Sequence, residues 1–291
     1  MNTRLTLAVS SRALFELEQE HEIFVRDGPA KFEVNQVENE ERPLAPGIAF
    51  NLVSKLLALN DLQQPNRCVE VVLLSRNSPN AGVRVMRSIQ HYKLAIDRAI
   101  FTGGADRFRY AQALGAHLFL SVNVSDVKAA LENGVAAAVM MPSNTVSPTF
   151  EPEVRIAFDG DAVLFSDEAE RVHKLHGLEA FEVHEEERAA LPLPAGPFKP
   201  FLKVLRQLQG QYPIKCGLFT ARGLRVHERA LRTLRDWGIA VDVAVFAGGM
   251  PKGPFLEAFG ADVFFDDTPA NCEGTSKVVS TGMVPSGISH E

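Results

Sequence analysis

Cysteine is scarce. Cys68, Cys216 and Cys272 are the three in 291 residues, widely separated, odd in number and free of any CxxC pair. That excludes a disulfide-stapled scaffold and points to reduced thiols in a cytoplasmic chain. Positive charge is also short, with 30 Lys and Arg against 36 Asp and Glu, a net charge of −6. Phosphate backbones are held by basic surfaces, so a nucleic-acid polymer is excluded as partner. A small phosphorylated molecule is not, because it needs only a metal and one or two local cations. The longest apolar run, near 135–142, is strand-length, so no membrane span is expected. The opening MNTRLTLAVSSRALF has too short an apolar stretch before Glu16 and Glu18 to read as a leader. GxGxxG, GxxxxGK[ST], GxSxG and HExxH are all missing, which leaves dinucleotide, P-loop and serine-hydrolase readings without support.

What is present is a core. Hydrophobic residues make up 46% of the chain, which is long enough for two modest domains or one large α/β unit. In the first half, Leu5–Val9, Val69–Leu74, Ile96–Phe101, His117–Leu120 and 135–141 read as strands. Helices are expected over 47–58 and 124–133, and 16–45 is a charged insertion. In the second half, Val154–Phe158, Ile214–Phe219, Val241–Phe246 and Ala261–Phe265 read as strands, with helices over 200–209, 224–237 and from Gly253. Ser166 stands where it can cap a helix opening with Asp167 and Glu168. Strands that are apolar throughout are those covered on both faces. The expected fold class is therefore α/β, with Rossmann-like parallel sheets.

The halves also repeat. Residues 75–121 align with 220–266 at a constant shift of 145, without a gap. Twelve of the 47 positions are identical, where composition alone gives roughly three. Ala95, Asp97, Ala99, Phe101, Gly103 and Gly104 fall on Ala240, Asp242, Ala244, Phe246, Gly248 and Gly249. The turn-rich PSNTVSPTFEPE puts the boundary near 143–152, giving tandem halves 1–147 and 148–291.

Carboxylates separate the copies. In open α/β sheets, ligands gather at the carboxyl ends of the strands. There the second half offers Asp159 and Asp161, then Thr220, then Lys252, then Asp266 and Asp267. The acids would form an oxygen-rich cage suited to Mg²⁺, with Lys252 and Thr220 facing phosphate oxygens. Ser10, Ser11, Ser75, Arg107 and Ser121 occupy the same places in the first half. No carboxylate cage exists there, which leaves a structural role or a pocket for an effector or part of the substrate.

FDGDAVLFSDE at 158–168, FTARG at 219–223, GGMPKGP at 248–254 and FFDDT at 264–268 resemble the cytosolic 5′-nucleotidase type I family of the haloacid dehalogenase superfamily. AVSSRALFELEQEHEIF at 8–24 resembles its opening segment, so the likeness covers nearly the whole chain. The resemblance implies two haloacid-dehalogenase-like halves, the second catalytic, with a cap insertion at 166–200. It implies Asp159 as nucleophile, Asp161 as acid/base, Thr220 and Lys252 on the phosphoryl group, and Asp266 or Asp267 completing a Mg²⁺ site. The implied reaction is hydrolysis of nucleoside 5′-monophosphates, AMP prominently, with a nucleoside diphosphate as effector. Another small ester such as a sugar phosphate, or a nucleotide-binding regulator, remains the alternative, and a homo-oligomer is left open. Phe181 and Phe198 lie in the insertion as base-stacking candidates or, the favoured reading, apolar anchors. His173, His176 and the run Glu185–Glu187 read as a solvated face.

Overall fold

Leu5–Val9 (β1), Val69–Ser75 (β2), Arg98–Phe101 (β3) and Leu118–Ser121 (β4) form parallel strands in the order β3-β2-β1-β4. They belong to the first of two compact units, Met1–Val135 and Ala136–Glu291, in a computed structural model that describes residues 3–62, 67–105, 108–143 and 152–291. The second unit holds Ala136–Met140 (β5), Val154–Phe158 (β6), Ile214–Thr220 (β7), Val243–Phe246 (β8), Val263–Asp266 (β9) and Thr281–Met283 (β10), ordered β5-β10-β9-β6-β7-β8. The mixed α/β architecture is as expected. The boundary expected at 147/148 lies outside the described residues.

One pairing departs from the expectation of purely parallel sheets. β10 runs antiparallel to β5, Gly282 opposite Met140, while it runs parallel to β9. β10 has three residues, one of them glycine, so no apolar run announces it. Gly282 leaves room for the Phe265 ring, which a Cβ there would meet at 2.7 Å.

Helices cover the strands because their apolar residues recur on one stripe. Lys199–Gln209 buries Phe201, Leu202, Leu205 and Leu208, and Gly82–His91 buries Val85 and Ile89. Each fully buried Leu or Phe contributes about 1.5–3 kcal/mol. Among the described residues, no helix is long and apolar enough to cross a membrane.

The same local devices occur in each unit. The expected charged insertions are helical excursions: Glu18–Asp27 and Pro29–Glu38 in the first unit, Glu168–Glu187 in the second. The first pair of helices meets at Gly28 (φ 87°), and the second excursion breaks at Gly177 (φ 85°), a left-handed backbone that glycine adopts without strain. The first-unit excursion is closed by a bridge between Phe15 and Pro46, the second by one between Phe165 and Ala195. The Leu44 amide donates to Ser88 Oγ, which donates to the Arg84 carbonyl. Likewise the Leu193 amide donates to Thr233 Oγ1, which donates to the Arg229 carbonyl.

Candidate active site

β6 ends on Phe158, and the next residue, Asp159, donates its amide to the Phe265 carbonyl at 2.8 Å. This holds Asp159 beside the end of β9, where Asp266 and Asp267 stand. The three buried acids bring carboxylate oxygens within 4.8 Å of one another. Lys252, from the loop that opens helix Gly253–Phe259, reaches between two of them, 2.9 Å from Asp159 Oδ1 and 2.6 Å from Asp266 Oδ2. Asp266 also accepts from the Thr268 amide at 2.8 Å and from Asn271 Nδ2 at 3.1 Å. Asp267 Oδ2 is buried without a hydrogen-bond partner. Thr220, ending β7, is buried, and its Oγ1 accepts from the Arg222 amide at 3.2 Å.

The electrostatics follow from three buried carboxylates with one ammonium set between two of them. Burial, then the charges of Asp159, Glu170 and Asp266, push Asp267 up to about 9. Burial pushes Asp159 up to about 7, with Lys252 opposing and Asp266 and Asp161 adding. Burial would lower Lys252, but Asp159 and Asp266 reverse this and raise it. Cys272 Sγ, 3.4 Å from the Asp266 carbonyl, is driven up by burial and then by the neighbouring acids, so it stays a neutral thiol. The donor set offered to a cation is therefore oxygen only. A hard divalent ion such as Mg²⁺ takes oxygen ligands, and the partnerless Asp267 Oδ2 in a net-negative cluster fits one.

A pH dependence follows. The folded pKa of Asp267 lies above its unfolded value, so the metal-free fold loses stability as pH rises from about 4 towards about 9. A divalent cation replaces the missing protons, so its stabilisation grows over the same window. Thermal unfolding with and without Mg²⁺ should show a larger upward shift in Tm at pH 8.5 than at pH 6. A shift independent of pH, or one unchanged in Asp267→Asn, would place metal binding elsewhere.

Asp161 stands apart from this cluster. It lies in the turn Gly160–Leu164, where the Phe165 amide donates to the Gly160 carbonyl five residues back. In the first unit the Phe15 amide reaches only four residues back, to Ser11. The turn in the second unit is one residue longer, with Ala162 at φ 58°. The Asp161 carboxylate is held by Arg222, Nε to Oδ2 at 2.9 Å and Nη2 to Oδ1 at 2.6 Å.

One expectation is corrected here, and the favoured reading of Phe198 holds. Glu185 is not part of a solvated face: it is 1% exposed, hydrogen-bonded to Arg222 Nη1 and, at 2.7 Å, to Arg229 Nη1. Two buried guanidinium groups replace the water its charge would otherwise need. Its i, i+4 spacing from buried Phe181 was the signal, since both fall on the inward face of one helix. Phe198 is fully buried among Phe158, Phe201 and Phe265, so it is an apolar anchor and not a base platform. Phe181 packs on Ala169 and Val226, with the Arg222 guanidinium 5.4 Å from its ring centre. His173, His176, Glu186 and Glu187 are exposed, as expected.

In the first unit, Ser10, Ser11, Ser75 and Ser121 are all buried. Ser11 Oγ lies 3.0 Å from Ser75 Oγ, and Ser10 Oγ accepts from the Ala13 amide at 3.2 Å. Arg107 lies outside the described residues.

No solved structure matches this chain. It is 36% identical to human cytosolic 5′-nucleotidase 1B over 291 aligned residues, covering 95% of this chain and 48% of the human protein. The chain thus spans about half the length of that relative. The 5′-nucleotidase family model matches residues 1–291, and the chain belongs to the 5′-nucleotidase family.

Proposed function

We propose that this chain hydrolyses nucleoside 5′-monophosphates to nucleoside and inorganic phosphate, with Mg²⁺, through an aspartyl-phosphate on Asp159. The observation that carries this reading is the buried cluster Asp159, Asp266 and Asp267 with Lys252 between two of its members. Asp159, Asp266 and Asp267 would hold the ion, which when bound offsets the repulsion between carboxylate and phosphate. Lys252 and Thr220 hold phosphoryl oxygens. Asp159 attacks phosphorus as the bond to the leaving oxygen breaks, and Asp161 gives that oxygen a proton. Asp161 then takes a proton from the water that attacks the aspartyl-phosphate, and Asp159 is regenerated.

In this reading the units are tandem copies, with the first keeping the scaffold but not the acids. The shared closing bridges, glycine breaks and hydroxyl-bridged helices support this. Residues 166–200 act as a cap that selects the nucleoside, while the first unit serves as structural partner or nucleoside diphosphate site. The name of the human relative supports a cytosolic setting.

A panel of AMP, IMP, sugar phosphates and p-nitrophenyl phosphate, assayed with EDTA and then with Mg²⁺ restored, tests the proposal. Phosphate release should favour nucleotides, stop in chelator and return with the ion. Undiminished turnover after verified metal removal would refute the metal role. A preference for sugar phosphates would refute the substrate class.

A further inference from the structure

Resting on that reading, we propose that Glu185, held by Arg229, is a positioning residue that fixes Arg222 and through it aims the carboxylate of Asp161. The contacts form one buried chain. Arg229 Nε donates to the Leu191 carbonyl at 2.9 Å, and its Nη1 donates to Glu185 Oε1 at 2.7 Å. The other Glu185 oxygen takes Arg222 Nη1, and Arg222 spends Nε and Nη2 on the two oxygens of Asp161. Arg222 is 4% exposed, Arg229 3% and Glu185 1%, so no water competes for these groups. The planar fork sets the plane of the Asp161 carboxylate as well as its position. Glu185 gives the guanidinium a second anchor, which keeps Arg222 in place through both proton transfers.

The first unit is an internal control. It retains the scaffold around the chain: Arg84 Nε donates to the Arg42 carbonyl at 3.0 Å, as Arg229 does to Leu191, and the hydroxyl bridges match. It keeps the Arg229 counterpart but lacks those of Glu185, Arg222 and Asp161. Asn77, whose amide donates to Ser75 Oγ as that of Arg222 does to Thr220 Oγ1, stands in place of Arg222. Gln36, eight residues past Gly28, stands in place of Glu185, eight residues past Gly177. Arg12 follows Ser11 where Asp161 follows Gly160, and it turns to Glu18 at 2.7 Å. Asn77 Nδ2 and Gln36 Oε1 are buried without partners. The same scaffold is thus built without the acid–guanidinium–acid chain, which among the described residues occurs in the unit that holds the carboxylate cluster. Buried ion pairs are costly and weak contributors to stability, so the fold alone does not require this one.

The test compares phenyl phosphate with p-nitrophenyl phosphate, esters of one shape whose leaving groups differ in their need for a proton. Only kcat/KM is used, because it ends at departure of the leaving group. In Glu185→Gln, phenyl phosphate should lose about tenfold more than p-nitrophenyl phosphate, as misplacing an acid by a fraction of an ångström does. Glu185→Asp should show a smaller loss of the same pattern and carries the comparison if the first variant does not fold. Arg84→Lys, which disturbs the matching scaffold of the first unit, should leave the ratio as in the parent. Equal losses on both esters in the Glu185 variants, or none, would overturn the positioning role. A parent protein that releases phosphate from no ester would instead overturn the function it rests on.

Discussion

Asp159→Asn removes turnover by more than about 10⁴-fold while leaving the protein folded, since the amide keeps the shape of the side chain and loses only its nucleophilic charge. All covalent phosphate disappears with it. Asp161→Asn behaves differently. It keeps the nucleophile and loses the proton donor, so nucleoside 5′-monophosphates slow by about 10²–10⁴-fold and p-nitrophenyl phosphate by less. The aspartyl-phosphate of this second variant also hydrolyses slowly and becomes trappable. Mass spectrometry of quenched enzyme, or trifluoroberyllate bound to the parent, locates the adduct. An adduct on Asp161, Asp266 or any residue of the first unit would refute the assignment of roles, whatever the substrate.

Lys252→Met should separate two properties that usually fall together. Without the ammonium, Asp159 and Asp266 face each other unpaired in a buried site, which costs about 3–5 kcal/mol of stability in the absence of metal. Phosphate loses its cation, so kcat/KM falls by about 10²-fold or more. The ion meanwhile no longer meets an ammonium beside the carboxylates, and Mg²⁺ should bind about tenfold more tightly than to the parent at a pH above the carboxylates' titration. Calorimetric titration with Mg²⁺ alongside steady-state kinetics would measure both. Weaker Mg²⁺ binding in the variant would mean that the three acids are not where the ion sits.

The strands were legible because parallel strands buried on both faces leave largely apolar runs, as LTLAV and VRIAF do with one polar residue each. The motif acids were legible because each follows such a run. β10 was not, because its place is fixed by a close approach at Gly282 and not by a run of its own. Glu185 was misread for a related reason: three glutamates in a row suggest a wet helix face. Only the fold brings Arg222 and Arg229, which lie 37 and 44 residues further along, against the first of them. Pattern within a segment reports what that segment buries, not which distant charge makes the burial tolerable.

The extra residue in the Gly160–Leu164 turn bears on engineering. The two units differ at this turn in backbone length as well as in side chains, with Ala162 in a left-handed conformation that the shorter Ser11–Leu14 turn has no residue to supply. Exchanging Ser10, Ser11 and Arg12 for Asp, Gly and Asp would therefore graft the letters of the motif onto a loop one residue too short to present them. On the proposed reading, moving the motif into the first unit takes an insertion, and a single-codon deletion in the second unit is the reverse step.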